Sequence, residues 1–228
     1  MPDTQHAATA AFFRVEGTLV SRGAISAAAY FAAGAASFGE RALRLGHVAL
    51  AAPVYSVLGQ SDRTLANRLT YLALRNMGED RIAELAEEYY ADVLRERILE
   101  GGLDLMRQAR RAGHRVVLLS DTVEQVMLPL VADLKRVDDH VCNRLEMRDG
   151  YATGKLQAPV VGGHDSARWV RRYAQEHGID LSRSVVYAAH GPDLLLMSSV
   201  GEACAVNPDF TLRRAARESD WPVMDYDV

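Results

Sequence analysis

Arg14 and Glu16 stand two residues apart where an apolar run, Ala10 to Phe13, meets a Gly17-Thr18 turn. A strand that enters such a turn with charged side chains at alternate positions has the layout of a phosphoryl-transfer loop. That chemistry begins with a nucleophile, and Arg14 is not one. A guanidinium is protonated at any physiological pH and offers donors but no lone pair. Its planar fork suits the opposite task of meeting a carboxylate or phosphate through paired hydrogen bonds. Glu16 is a carboxylate able to act as acid or base, but it has no neighbouring nucleophile to serve.

Ser120 ends the run Arg115-Val-Val-Leu-Leu, where its hydroxyl can bond either backbone or an anion. Asp121 follows it, and its charge would repel a phosphate. His190 precedes Gly191-Pro192-Asp193. Imidazole works as base, donor or nucleophile near neutral pH. The sequence fixes no orienting acid beside His190, so an ordinary loop histidine is the expectation. Lys155 follows Gly154 in a hairpin and reads as structural. Cys142 and Cys204 lie far apart, with no metal or redox spacing, which suits a reducing, cytoplasmic setting.

These residues need elements to position them. Ala10 to Phe13 reads as a short buried strand. From about Ser21 to Leu99 the apolar spacing is helical, as at Ile82, Leu85, Ala86, Tyr89, Tyr90 and Val93. Leu103 to Ala112 is a helix closed by Gly113. Strand and helix then alternate: a strand from Arg115 ending at Ser120, a helix over Glu124 to Leu134, a strand from His140 to Leu145, and a hairpin over Glu146 to Lys155. A helix from Asp165 to His177, a strand from Ser184 to Ala188, a helix from Asp193 to Val200, a strand over Ala203 to Val206 and a helix from Thr211 to Glu218 follow. This order predicts an α/β fold with a mostly parallel sheet covered on both faces. Ligands bind such sheets at the carboxyl ends of the strands. The loops after Phe13, after Leu119, near Ser166 and after Tyr187 are expected to meet there.

The same stretches resemble the haloacid dehalogenase superfamily, in its phosphoserine-phosphatase-like branch with a helical cap after the first strand. The likeness rests on Phe12-Phe13-x-Val-x-Gly-Thr-Leu-Val, the strand ending at Ser120, Tyr151-Ala-Thr-Gly-Lys-Leu with Pro159, and Gly178-Ile-Asp-Leu-Ser. It also rests on Ala205-Val-Asn-Pro-Asp-Phe-Thr-Leu-Arg-Arg-Ala-Ala-Arg followed by Trp221-Pro-Val. It implies a Rossmann-like core over residues 1–20 and 100–228, with a helical cap over 21–99. It also implies a nucleophilic Asp, an acid/base Asp two residues on, a phosphate-holding Ser or Thr, a Lys, and one or two Asp for Mg²⁺. Here the nucleophile position is Arg14 and the acid/base position is Glu16. Ser120 matches the phosphate hydroxyl, the Lys position falls at Ser166, and the first fourth-loop Asp is Ala189. Asp193 retains the second.

On this resemblance the Mg²⁺ site is expected to be lost and aspartyl-phosphate chemistry with it. Arg14, Glu16 and Asp193 leave the site one unit negative without a metal. The expectation is that Arg14 takes the metal's electrostatic role, pairs with Asp193 or Glu16, and still meets a phosphate. Gly17, Thr18, Ser120 and His190 would complete that ligand site. A salt bridge that simply fills an abandoned metal pocket is the competing expectation. The function expected is a pseudophosphatase binding a small phosphorylated ligand or a protein partner. A hydrolase with atypical residues and a scaffold with a closed cleft are the alternatives.

Composition narrows the rest. The chain of 228 residues is 49% hydrophobic and 25% charged, with a net charge of −4. Those are ordinary globular values, and no basic stripe supports a nucleic-acid partner. The first ten residues lack the basic start and apolar run of a signal peptide. Gly23 to Gly39 is uncharged but mostly Ala, Gly and Ser, and Leu45 to Leu58 falls short of the roughly 20 apolar residues a span needs. Both are expected as buried helices, with membrane contact the less favoured reading. The cap aromatics, Tyr30, Phe31, Phe38, Tyr55, Tyr71, Tyr89 and Tyr90, could line a substrate pocket, but at helical spacing they are expected mainly in the core.

Overall fold

A computed structural model of the chain describes residues 7–226. β1 (Ala10–Arg14) is the buried strand that carries the site. It lies between β2 (Arg115–Val123) and β6 (Val185–Ala188), with Phe13 level with Leu118 on one side and Tyr187 on the other. β3 (Asp139–Asn143) flanks β2, and β7 (Glu202–Val206) and β8 (Val223–Met224) extend the far side. The order is β3-β2-β1-β6-β7-β8, parallel throughout. Such a sheet must be covered on both faces, which is why its strands are continuous apolar runs.

Side-chain alternation along β1 divides the core. Ala11 and Phe13 join Val116 and Leu118 on one face, packed against α5 (Glu100–Arg111) and α6 (Glu124–Leu134). Ala10 and Phe12 join Val117 and Leu119 on the other, packed against α7 (Gly163–His177) and α9 (Phe210–Glu218). Phe12 and Phe13 are fully buried, so each contributes roughly 1.5–3 kcal/mol through removal from water.

Between β1 and β2 the chain forms a helical block. Its helices are α1 (Ala24–Ala33), α2 (Phe38–Leu58), α3 (Arg63–Tyr71) and α4 (Glu79–Tyr89), followed by a short π-turn at Tyr90–Leu94. Ser37 caps α2 by accepting from the Glu40 backbone NH at 3.2 Å, and Asp62 caps α3 from Leu65 NH at 2.8 Å. The first apolar stretch of the sequence forms α1, which is buried along Ala24, Ala27, Ala28, Phe31 and Ala32 as expected, whereas the second lies in α2, whose Leu50 and Val57 face solvent rather than the core. Phe31, Tyr71, Tyr89 and Tyr90 are core residues as expected, but Phe38 is 86% exposed.

Some expectations need correction. β2 does not end at Ser120 but continues through Asp121 and Thr122 to Val123, because its polar residues find buried partners. The strand expected from His140 to Leu145 is two: β3 stops at Asn143 and β4 (Leu145–Arg148) opens the hairpin with β5 (Tyr151–Leu156). Ser166 lies in the first turn of α7, inside the helix expected from Asp165, which starts two residues earlier than expected, at Gly163. The helix expected over Asp193 to Val200 is a 3-10 turn at Gly191–Asp193 running into the single turn α8 (Leu194–Met197). β8 has no counterpart in the expectations. No helix among the described residues is long and apolar enough to cross a membrane.

Candidate functional site

The carboxyl ends of β1, β2 and β6 meet at one buried charge cluster with Arg14 at its centre. Arg14 is the last residue of β1 and only 2% exposed. Its Nη2 lies 2.8 Å from Asp121 Oδ1, and its Nε lies 3.0 Å from Asp193 Oδ1. Glu16 Oε2 is further away, at 3.7 Å from Nη2. Arg63, from α3, approaches Asp121 Oδ2 with its Nε at 3.6 Å while its guanidinium lies over the Tyr55 ring at 4.8 Å. Asn67 Nδ2 donates to Asp121 Oδ1 at 3.3 Å and to Val161 O at 2.9 Å.

Glu16 is held separately. Its Oε1 accepts from the Ser120 hydroxyl at 2.5 Å and from the Asp121 backbone NH at 3.0 Å. Ser120 Oγ in turn accepts from Thr122 NH at 3.0 Å. Asn143, at the end of β3, fixes this corner by donating to Asp121 O at 2.8 Å and accepting from Val161 NH at 2.8 Å. These bonds let polar residues extend β2 into the interior, since a buried polar group is costly unless paired.

The turn after β1 is set by packing. Gly17 has φ +84°, and a Cβ there would lie 2.4 Å from Ala189 Cβ. Only glycine meets both conditions comfortably. The Thr18 hydroxyl donates back to Arg14 O, and Asn207 Nδ2 donates to Gly17 O at 3.3 Å. Gly102 of α5 brings that helix against Thr18, where a Cβ would lie 2.1 Å from the Thr18 carbonyl oxygen.

Charge states follow from this geometry. Burial by itself would lower the Arg14 pKa, but Asp121, Asp193 and Glu16 override it and raise it above its ordinary value. Burial would raise Asp121, yet Arg14 and Arg63 hold it below the usual carboxylate range. Glu16 is pushed up by burial and by the charge of Asp121, against the pull of Arg14. Asp193 is also pushed up by burial, with Arg14 opposing.

A cleft of about 540 Å³ opens above the cluster between sheet and helical block. Of the residues expected to bind a ligand, Glu16, Gly17 and His190 line it. Arg14, Thr18, Ser120 and Asp193 lie beneath, buried. Ser166 and Ala189 are fully buried, and Ser166 Oγ has no hydrogen-bond partner among the described residues. The cleft also gathers Tyr55, one of the cap aromatics weighed as pocket lining, together with Arg22, Gln60, Arg63, Asn207 and Asp209, which the sequence did not single out. Asp209 supplies the orienting acid that His190 lacked: its Oδ2 sits 3.6 Å from His190 Nδ1 and accepts from Gly191 NH at 3.0 Å. Burial would raise Asp209, but the nearby His190 and the hydrogen bonds donated by the Leu212 and Gly191 backbone NH groups hold it at about 2. Its N-cap bond to Leu212 NH was the signal available in the sequence, since Pro-Asp-Phe-Thr-Leu reads as a helix start.

A parallel sheet with helices on both faces, a helical insertion after the first strand and a site at the strand ends define an α/β protein of the class that binds its ligands at the carboxyl ends of the strands. The haloacid dehalogenase-like hydrolase family matches residues 11–198, and this chain belongs to it. It is 30% identical to phosphoserine phosphatase SerB1 of Mycobacterium tuberculosis, over 96% of this chain and 71% of that one. It is 28% identical to an inhibition of morphological differentiation protein of Streptomyces azureus, over 96% and 78%. A Bordetella pertussis protein of unknown function superposes with a TM-score of 0.81 at 23% identity, covering 96% of this chain and 99% of that one. A substrate-bound phosphoserine phosphatase superposes at 0.73 and 16% identity, covering 95% and 92%.

The Mg²⁺ that the family implies does not fit the residues present. Magnesium takes hard oxygen ligands in near-octahedral geometry. Here a guanidinium lies between Asp121 and Asp193, Ala189 offers no donor, and an oxygen of Asp193 already faces Arg14.

Proposed function

We propose that this chain is a non-hydrolytic member of its family that keeps the family site filled with its own side chains and uses the cleft above to bind a small phosphorylated ligand. The carrying observation is the pairing of Arg14 with Asp121 and Asp193 while Glu16 occupies the Ser120 hydroxyl and the adjacent NH. In the family a hydroxyl at the Ser120 position holds a phosphoryl oxygen; here a carboxylate oxygen takes that donor. Arg14 holds positive charge next to the retained Asp193, where the family has a metal. The aspartyl-phosphate route has no nucleophile at this position.

The cleft supports the binding half of the reading. Arg63, Gln60 and His190, which carry donors, line it together with Asn207, whose amide is already held by Gly17 O and Tyr226 NH, and Arg22 stands exposed at its wall. A phosphate ester is the small ligand such donors suit best. Binding would then occur above Arg14, with Arg63 and not Arg14 as the buried cation nearest the ligand.

A hydrolase reading is favoured by one observation, the His190–Asp209 pair beside Glu16 in the same cleft. Turnover of p-nitrophenyl phosphate and phosphoserine, measured with Mg²⁺, Mn²⁺ and Co²⁺, separates the two. No turnover above that of an Arg14→Met/Glu16→Gln variant is the expected result. Robust turnover lost on Glu16→Gln or His190→Ala overturns the proposal. A thermal-shift screen of phosphometabolites should raise Tm without Mg²⁺, because a ligand that binds only the native state stabilises it by mass action.

A further inference from the structure

α2 is the longest helix among the described residues, at 21 residues, and it turns an uncharged apolar face outward. Leu43 and Leu50 are each 76% exposed and Val57 is 74% exposed. They recur every seven residues, so at about 100° per residue they form one ridge along the helix. Gly39, Gly46 and Pro53 continue the same side, and a Cβ placed at either glycine would meet nothing within 4 Å. Phe38, 86% exposed, and Leu45 bound the far edge. The face is thus a ridge beside a lane of small residues, the complement of the same face on another helix.

We infer that this face is an interface between two copies of the chain, packed as antiparallel α2 helices about a two-fold axis. Even spacing gives the fit: an axis crossing at Leu50 sets Leu43 of one copy level with Val57 of the other. Such an interface is isologous and closes on itself. Phe38, Leu43, Leu50 and Val57 leave on the order of 600 Å² of apolar surface open, at the top of the range for monomers. Doubled across the two-fold, about 1,200 Å² reaches the lower edge of a specific interface.

A lipid surface is the other occupant to weigh, and the charges argue against it. An interfacial helix carries Lys and Arg beside its apolar face. On α2, Arg44 is buried against Glu40 and Ala73 O. His47 bonds Leu69 O at 2.8 Å, and Arg41 bonds Ala35 O at 3.3 Å. Arg41 alone is exposed beside the face, a single charge rather than a basic flank, whereas a second copy needs none.

The test is the mass of the intact protein by light scattering after gel filtration, across a concentration series into the tens of micromolar. A particle of twice 25.0 kDa is expected. Leu43→Glu/Leu50→Glu should return it to 25.0 kDa with unchanged helical circular dichroism, since both side chains are exposed. Leu50→Cys should yield a disulfide-linked dimer on mild oxidation; Cys142 and Cys204 are buried and stay out of the reaction. A wild-type monomer throughout the series overturns the inference. So does a dimer that survives the double substitution, or a monomer that sediments with phosphatidylcholine–phosphatidylserine vesicles.

Discussion

Arg14→Met tests the filled site most directly, because it keeps side-chain bulk and removes only the charge. Arg14, Asp121 and Asp193 are 2%, 1% and 2% exposed, so the carboxylates left behind cannot turn to water. Removing one partner of a buried ion pair costs roughly 3–5 kcal/mol, most of it from the charge left unpaired. Asp121 keeps Arg63 at 3.6 Å and Asn67 at 3.3 Å, whereas among the described residues Asp193 keeps only the weaker pull of His190 and Arg63. In a chain of this length each kcal/mol moves Tm by about 2–4 °C, so the expected fall is about 6–20 °C at pH 7. The loss should shrink as pH falls, because Asp193 already has a raised pKa and takes up a proton readily once Arg14 is gone. Arg14→Met/Asp193→Asn should be more stable than the sum of the single changes predicts. Thermal unfolding followed by circular dichroism between pH 5 and pH 8 is the assay. An Arg14→Met protein within a degree or two of wild type at every pH would refute the reasoning.

Three further outcomes follow from the same geometry. Glu16→Gln should raise Tm at pH 7: a carboxylate whose folded pKa is raised contributes stability present below its unfolded value of 4.5 and lost as pH rises through the folded value. The amide oxygen can still accept from Ser120 and Asp121 NH, so the gain should vanish toward pH 4.5 in a pH series of melts. Asp209→Asn acts with the opposite sign. Its carboxylate, held at about 2 against an ordinary 3.8, contributes stability above 3.8 that is lost as pH falls through about 2. The variant should therefore show a flatter acid-unfolding curve below pH 4 while keeping the α9 cap. Gly17→Ala combines a left-handed backbone with a Cβ 2.4 Å from Ala189 Cβ and should cost about 2–4 kcal/mol, read from urea unfolding.

How much of this was legible in the chain depends on the reach of each interaction. The Glu124–Leu134 helix and the apolar core strands obey local periodicity, and the structure places them where that periodicity does. The extension of β2 was not legible. Ser120-Asp121-Thr122 looks like a strand end until Glu16, more than 100 residues earlier, and Asn143 are seen to satisfy it. The pairing of Arg14 with Asp193 was one of the expected arrangements. Its second partner, Asp121, was read from sequence only as a charge hostile to phosphate. Arg63 and Asn67 come from α3, whose face toward the site is invisible until the helical block is folded onto the sheet. The same holds for His190 and Asp209: each sits in a readable local motif, but their meeting is a property of the packed loops.

The bond from Ser120 to Glu16 has a consequence for redesign. Single steps toward a metal-dependent site run uphill. Arg14→Asp would gather a fourth carboxylate with Glu16, Asp121 and Asp193 and no cation among them but Arg63. Ala189→Asp would place a carboxylate against Gly17, where even a single added Cβ would lie 2.4 Å from the Ala189 methyl. Glu16→Asp would shorten the arm that now quiets the Ser120 hydroxyl and the neighbouring NH. Each change is unfavourable without the others, so the residues hold one another in place, and a metal-dependent site could be built here only by several substitutions made together.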